Sequence, residues 1–103
     1  IGIPTSRGLE FVETGAIIRC EGIQRYTKLI LKDSKTILSS YNLGEFRKLL
    51  ESYHFYSPHK SHLISLDHII RYDKEGTIEM SDGIIVPVAR RRRQDFLEKM
   101  TRL

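Results

Sequence analysis

The chain has 103 residues, 40% of them hydrophobic, and a formal net charge of +4, which fits one folded domain and excludes a disordered tail. No apolar run approaches the roughly 18 residues of a membrane-spanning helix, so we expect no membrane contact by this segment. The single cysteine, Cys20, cannot form an internal disulfide, which favours a reducing compartment, and we expect a cytoplasmic protein.

The first forty residues are predicted to form short strands joined by turns. Residues 1–8 include Pro4 and Gly8 and predict a linker or an entering edge strand ahead of the domain at residues 9–103. The chain begins with Ile rather than Met, so we expect a longer protein with a further N-terminal part. Apolar, β-branched and aromatic residues predict strands at residues 9–13, 17–21, 26–32 and 35–39.

A helix and a polar corner are predicted in the middle of the chain. Asn42 and Glu45 have the spacing of a capping box, so a helix should begin there. The stretch from residue 57 to residue 70 starts with polar and cationic side chains and continues with apolar ones. This order predicts a polar corner that leads into a buried strand. The apolar stripe of the helix is predicted to be core: Leu43, Phe46, Leu49 and Leu50.

The last third of the chain is predicted to form strand pairs and a final helix. Strands are expected at residues 70–73, 77–80 and 84–88. Ser81-Asp82-Gly83 is the strongest hairpin signal in the sequence, and Pro87 predicts an edge position for the last strand. The helix is expected to span residues 90–103, with a narrow apolar face of Phe96, Leu97 and Met100.

Positive charge is unevenly distributed along the chain. Four consecutive arginines, Arg90 to Arg93, would crowd the first turn of the final helix, where each cation is unfavourable by roughly 0.3–1 kcal/mol. A sequence that breaks a local rule in this way often does so at a functional site, and the alternative is a solvated charged face. Other cations flank Tyr26 and occupy the polar corner, while the acids lie mainly elsewhere, which favours a polyanionic partner.

Four blocks of the sequence, in order, resemble the LytTR DNA-binding domain family, and the resemblance covers about residues 9–103. The first block is Ile17-Ile18-Arg19-Cys20-Glu21 with Tyr26-Thr27-Lys28, and the second is Asn42-Leu43-x-Glu45-Phe46. The third runs from Phe55 to Ile69 through His59-Lys60-Ser61. The fourth joins Met80-Ser81-Asp82-Gly83 to Val86-Pro87-Val88-Ala89-Arg90-Arg91.

The resemblance implies a mainly β fold with short helices, an elongated domain of about ten short strands rather than a helix-turn-helix. Members of the family insert loops into successive major grooves of promoter DNA, and they usually follow a phosphoacceptor receiver domain in bacterial two-component regulators. The resemblance therefore implies sequence-specific binding of double-stranded promoter DNA, an N-terminal receiver domain in the full-length chain, and a homodimer on paired repeats. It implies no cofactor and no enzymatic activity.

Carried over by position, the resemblance implies three loops that face DNA. The first offers Arg25, Thr27 and Lys28, the second His59, Lys60 and Ser61, and the third Arg90 with Arg91 and Arg93 as neighbours. Arginine can donate two hydrogen bonds to guanine, whereas lysine acts as a point charge on phosphate. No operator sequence is transferred, because the chain departs from the common family pattern at Ala16, Arg25, His62, Ser65 and Ala89.

Other functions are weighed against DNA binding. A metal site is not expected, because His59-x-x-His62 would place two rings on opposite sides of an extended strand and no zinc spacing occurs. An enzyme is not expected, because the carboxylates are scattered and no nucleophile–base pair is present. The alternative is a small β-rich interaction module for a peptide or partner domain. Its groove would be lined by Tyr26, Tyr41, Tyr53, Phe55 and Tyr56.

Overall fold

The structure, a computed structural model, describes residues 1–101 and contains ten short strands and two short helices in that range. The strands are β1 (Gly2–Thr5), β2 (Gly8–Phe11), β3 (Ile17–Ile23), β4 (Tyr26–Leu31), β5 (Thr36–Ser39), β6 (Phe55–His59), β7 (His62–Ser65), β8 (Ile69–Asp73), β9 (Thr77–Met80) and β10 (Ile85–Pro87). The helices are α1 (Leu43–Leu50) and α2 (Arg93–Met100). The prediction of a mainly β fold with about ten strands and short helices is confirmed.

The central layer is a five-stranded antiparallel sheet in the order β5-β4-β3-β7-β6. Successive side chains of a strand point to opposite faces, and both faces of this sheet are covered. Leu63 belongs to the core on one face, and the next residue, Ile64, belongs to the core on the other. This burial on both sides explains why β3, β4 and β7 read as apolar runs without clean alternation.

Helix α1 covers one face of the central sheet. Asn42 caps it, since its Oδ1 accepts a hydrogen bond from the Glu45 backbone N–H at 3.0 Å, and the predicted helix start is confirmed. Three residues of the predicted stripe are buried, but Leu49 is 45% exposed, so its prediction as core is wrong. Leu49 lies about 100° around the helix from Leu50, which turns it away from the sheet. No helix within residues 1–101 is long and apolar enough to cross a membrane.

The N-terminal residues form a strand that packs beside the central sheet rather than a linker. Strand β1 pairs with β2, and Ile3 is fully buried in the core beneath α1. The carbonyl oxygen of Pro4 accepts hydrogen bonds from the Ser39 hydroxyl at 2.6 Å and the Ser40 backbone N–H at 3.2 Å. Strand β1 is therefore bonded to the end of β5 as well as to β2.

A small sheet in the order β10-β9-β8 packs on the other face of the central sheet. Gly83 has a φ of 84°, and its N–H donates to the Met80 carbonyl oxygen at 2.8 Å, so the predicted hairpin turn is confirmed. Pro87 is in β10, the outermost strand, as predicted. The buried Arg19 of β3 donates from Nε to Asp82 in this hairpin turn at 2.9 Å, and this ion pair links the two sheets.

Helix α2 begins later than the sequence predicts. Residues Arg90–Arg92 form a 3-10 turn and α2 starts at Arg93, so only one of the four arginines occupies the first turn of the helix. Phe96 is buried between Tyr56 and Tyr72, with ring centroids 5.5 and 5.2 Å away. The other two residues of the predicted apolar face, at positions 97 and 100, are each 39% exposed. Positions 102 and 103 of the predicted helix lie outside the described residues.

Candidate nucleic-acid interface

The turn between β3 and β4 presents one exposed cation. It consists of Gln24 and Arg25, and Ile23 pairs with Tyr26 across it. Gln24 has a φ of 57°, a left-handed conformation that two-residue hairpin turns require. The Arg25 side chain is exposed at the tip and available to a partner.

Thr27 and Lys28, also predicted for this loop, lie within β4 and face opposite sides of the sheet. Thr27 is fully buried on the α1 side, where its hydroxyl donates to the Tyr41 carbonyl oxygen at 2.8 Å. Thr27 therefore cannot meet DNA, and the prediction of a contact is corrected to a structural role. Lys28 is half-buried on the other face, opposite Glu21 of β3.

The polar corner is a two-residue turn of Lys60 and Ser61 between β6 and β7. Lys60 is exposed at the tip of this turn. Ser61 is half-buried, and its backbone N–H donates to Nδ1 of His59 at 3.1 Å. Because Nδ1 accepts this bond, the proton of the neutral His59 ring is on Nε2, which can donate to a ligand.

His59 and His62 face one another across the polar corner. They are cross-strand neighbours with ring centroids 5.6 Å apart. The expectation that their rings lie on opposite sides of a strand is wrong, because the chain reverses between them. Burial lowers the pKa of His62 despite the opposing charge of Glu21, so this ring is neutral at neutral pH. Within residues 1–101, no group of three His, Cys, Asp or Glu side chains could hold a metal ion.

The two turns lie side by side where the strands of the central sheet end, and we refer to this margin of the sheet as the DNA-facing edge. Strands β3 and β7 are antiparallel neighbours, so the end of β3 is beside the start of β7. The Gly22 N–H donates to the Ser61 carbonyl oxygen at 2.9 Å and joins the turns directly. Next to this edge runs a row of cross-strand neighbours, formed by Lys28, Glu21, His62 and His59.

A β-bulge in β6 supports the polar corner from behind. The pairing register shifts ahead of His59, which leaves Ser57 and Pro58 in the bulge. The Ser57 hydroxyl oxygen lies 3.1 Å from the carbonyl oxygens of both His59 and His62. It also accepts a hydrogen bond from Nη2 of Arg47 at 3.0 Å. These contacts connect both ends of the polar corner to helix α1.

The third predicted loop, residues 89–93, lies against the outer side of the bulge. The Ala89 N–H donates to the Pro58 carbonyl oxygen at 2.8 Å. Arg90 and Arg91 follow at once and are exposed. The third loop is thus attached to the strand that carries the polar corner.

Arg92 and Arg93 are half-buried, and each donates a hydrogen bond that holds the third loop in place. Arg92 donates from Nη1 to the Ser57 carbonyl oxygen, and Arg93 donates from Nε to the Val88 carbonyl oxygen at 3.2 Å. The half-buried Arg93 guanidinium also packs on Gly76, where an added Cβ would lie 2.3 Å from Nε. Arg93 thus braces the third loop, and its contact with DNA stays a prediction.

Four exposed cations along this edge have no ion-pair partner. The ion pairs of the described part of the chain draw their basic partners from Arg19, His54 and Arg71, which lie elsewhere. The charge at the edge is therefore available to an anionic partner. The four cations are Arg25, Lys60, Arg90 and Arg91.

Several residues that shape the interface were not predicted. Ser57 and Pro58 form the bulge, and a proline within a strand is a sequence signal for such an irregularity. Arg47 carries no comparable signal. Arg92 belongs to the run of four arginines, but its contact with Ser57 appears only when the third loop meets β6. Of the aromatic residues considered for a peptide groove, Phe55 is buried in the core.

A family model and a solved structure each match almost the whole chain. The family model of the LytTr DNA-binding domain matches residues 7–101. Among solved structures, the chain is similar to one from Bacillus cereus, described as the LytTr DNA-binding domain of a methyl-accepting/DNA response regulator. The two share 24% sequence identity with a TM-score of 0.79, over 99% of this chain and 96% of the other. A search of curated proteins found no match.

Proposed function

Because the chain belongs to the LytTR family of DNA-binding domains, we propose that it binds double-stranded promoter DNA sequence-specifically, through loops inserted in major grooves. In this role it is the output domain of a bacterial transcriptional regulator. The family is a class of DNA-binding domains and not a class of enzymes.

The observation that carries this proposal is the arrangement of three cationic loops along one edge. Backbone hydrogen bonds connect the first loop to the second, from Gly22 to Ser61, and the third to the second, from Ala89 to Pro58. Loops that are fixed in this way lose little conformational freedom when they bind.

The exposed side chains suit different contacts with DNA. Arg90 and Arg25 can each donate a bidentate pair to guanine O6 and N7 and so discriminate bases. Lys60 supplies a compact charge for phosphate, and Arg91 can do the same. His59 can donate from Nε2 to a phosphate oxygen or to a base acceptor. Backbone contacts would then set the register, and the arginines would set the preferred sequence.

The proposal extends to the regulatory setting. We propose that an N-terminal receiver domain of a two-component phosphorelay controls this domain in the full-length protein. Two copies would bind paired repeats as a homodimer, and the protein would work in the cytoplasm. Sedimentation of the receiver-linked protein with a promoter fragment tests the pairing, and a complex with only one copy per fragment contradicts it.

Titration of the chain's own promoter fragment tests the central claim. We expect Arg90→Ala to weaken specific binding by about 1–3 kcal/mol and to relax the preference at one base pair. We expect Lys60→Ala to weaken binding to all sequences equally and to reduce the salt dependence by about one counterion. Lys35→Ala, in the exposed turn at the opposite end of β4, is the matched control and should bind like the unaltered chain.

The result also separates DNA binding from peptide binding. Affinity for promoter DNA should fall steeply as salt rises, because bound counterions are released, whereas an apolar peptide groove depends little on salt. If Arg90→Ala and Lys60→Ala both bound the promoter as the unaltered chain does, the site assignment would be wrong. A folded chain without affinity for promoter DNA at low salt would contradict the function itself.

A further inference from the structure

A second cationic site lies on the side of the molecule, between α1 and α2. It is a cleft of about 660 Å³, within the size range of small-molecule sites. Its walls carry five cations and two carboxylates. The cations are Arg47, Lys48, Arg91, Arg92 and Lys99, and of these Arg91 also belongs to the cations of the DNA-facing edge.

The polar groups of this cleft are incompletely satisfied. The Nε of Arg47 is buried and has no hydrogen-bond partner, although Nη2 of the same guanidinium binds Ser57. The carboxylates are Glu51 and Asp95, and within residues 1–101 neither lies within 4.0 Å of a cationic group of the cleft. Asp95 instead accepts a hydrogen bond from the Tyr56 hydroxyl at 3.2 Å. An unused guanidinium N–H beside surplus positive charge calls for an anion with several acceptor oxygens.

The floor of the cleft is aromatic. The ring of Tyr56 is partly exposed there and rests on Phe96, whereas Phe55 and Leu63, which also line the cleft, are buried. A bare inorganic ion would use the cationic wall but would leave the exposed part of the Tyr56 ring in contact with water. An organic group attached to the anion would cover it, and burial of apolar surface is favourable.

We propose that this cleft binds a small organic molecule that carries a phosphate group. Arg47 and Arg92 hold the phosphate, Lys48 and Lys99 add charge at the rim, and the organic part covers the exposed part of the Tyr56 ring. The phosphate of a DNA backbone has the same chemistry. We favour the small molecule because Arg47 and Lys48 are in the second half of α1, whereas its N-cap residue, Asn42, lines a cavity together with Arg25 of the first loop.

A titration with phenyl phosphate at constant ionic strength tests the proposal, with the amide and arginine Nε–H signals monitored by NMR. We expect saturable shifts at Arg47 and Tyr56, tighter binding than inorganic phosphate shows, and no response at Arg25. Arg47→Gln should weaken binding about tenfold, the loss of one charge-assisted hydrogen bond. Lys48→Gln, at an exposed position that is easily replaced, should weaken it several-fold, and Lys35→Gln should leave it unchanged. Shifts that never saturate, or that spread over all basic residues, would overturn the proposal.

A DNA titration distinguishes the two sources of phosphate. If Lys48→Gln leaves the salt dependence of promoter binding unchanged while phenyl phosphate saturates the cleft, the small-molecule site is supported. A salt dependence reduced by about one counterion, together with no phenyl phosphate binding, would assign the cleft to the DNA backbone and overturn the proposal. The phenyl phosphate titration contains no DNA, so its outcome does not depend on whether the chain binds a promoter.

Discussion

Ser57 is the residue on which the interface depends most, although it does not face the partner. Its hydroxyl contacts the carbonyl oxygens at both ends of the polar corner and accepts from Arg47, while its own carbonyl oxygen accepts from Arg92. One residue in a bulge thus joins α1 and the polar corner through its side chain and the third loop through its backbone. Bulges next to binding sites commonly redirect side chains in this way.

Ser57→Ala tests this positioning role. Removal of the hydroxyl leaves the Arg47 donor and two carbonyl acceptors without their partner, so we expect a loss of about 1–3 kcal/mol in the free energy of unfolding. Promoter affinity should fall while its salt dependence stays the same, because no charged contact is removed. Urea denaturation and DNA titration measure the two effects. Ser52→Ala, at an exposed position, is the control, and equal behaviour of the two variants would contradict the role.

His62 gives the domain a pH-dependent stability. Burial lowers its pKa below the ordinary value of 6.5 in the folded state, so the unfolded chain takes up a proton first as the pH falls. The stabilising contribution is therefore complete above pH 6.5 and is lost progressively as the pH falls towards the lower folded-state pKa. The free energy of unfolding, measured by urea denaturation from about pH 8 to about pH 5, should decline in this way, because this range spans the ordinary pKa of histidine.

His62→Gln should flatten this part of the pH profile, since it removes the titrating ring. His54→Asn is the matched control, because His54 is exposed and has a φ of 63°, which asparagine tolerates. An unchanged slope in His62→Gln would show that another group causes the decline.

At the level of elements, the third loop is fixed by the turn between β8 and β9. Gly76 in that turn has a φ of 90°, and its N–H donates to the Asp73 carbonyl oxygen at 2.8 Å. Its carbonyl oxygen accepts from the Val88 N–H at 2.9 Å, and the Arg93 guanidinium packs directly on it. A glycine is needed here both for its backbone conformation and for the space it leaves.

Gly76→Ala tests this packing against a matched control. Gly83 has a similar φ of 84° but nothing within 4 Å of an added Cβ, so Gly83→Ala reports backbone strain alone, about 1–2 kcal/mol. We expect Gly76→Ala to cost more in the free energy of unfolding and also to weaken promoter binding, because Arg93 must move. Thermal and urea denaturation measure the first effect and DNA titration the second. Equal costs for the two variants would show that the Arg93 contact is easily displaced.

At the level of the whole molecule, two cores are held together by the central sheet and by one buried ion pair. One core lies beneath α1, and the other lies between the central sheet and the small sheet. Strands β3, β6 and β7 contribute to both cores, whereas β4 and β5 contribute only to the core beneath α1. Arg19 faces the small sheet beside Ile64 and reaches Asp82. Its guanidinium also donates to Glu21, in the row that leads to the polar corner.

Arg19→Met should reduce the free energy of unfolding by about 3 kcal/mol, because the exchange breaks a largely buried ion pair between the sheets. Arg71→Met is the control, since Arg71 also contacts two carboxylates but has a side chain that is 62% exposed; its loss should stay below about 1 kcal/mol. Urea denaturation of both variants decides the comparison. Similar losses would show that burial does not distinguish these pairs.

The sequence by itself determined the features that depend on neighbouring residues. It also identified the family through the resemblance. Asn42 caps its helix and Gly83 turns its hairpin because each acts on backbone groups within a few residues. The resemblance supplied the class of fold and the prediction of three DNA-facing loops, and Arg25, Lys60 and Arg90 of these loops are exposed. The cap and the turn can be predicted from the sequence because they do not depend on contacts with distant parts of the chain.

Only the tertiary structure decided which residues near those loops face outward. Thr27 is buried because the segment that leads into α1 covers it at Tyr41, and Arg93 is half-buried because it packs on the β8–β9 turn. The histidines of the polar corner face each other because a two-residue turn reverses the chain between them. The bulge at Ser57 brings together groups from α1, the polar corner and the third loop. The position of this bulge depends on the register of β6 against β7, and register is a property of a pair of strands. The sequence of one strand does not specify which strand pairs with it, so these roles become apparent only in the assembled sheet.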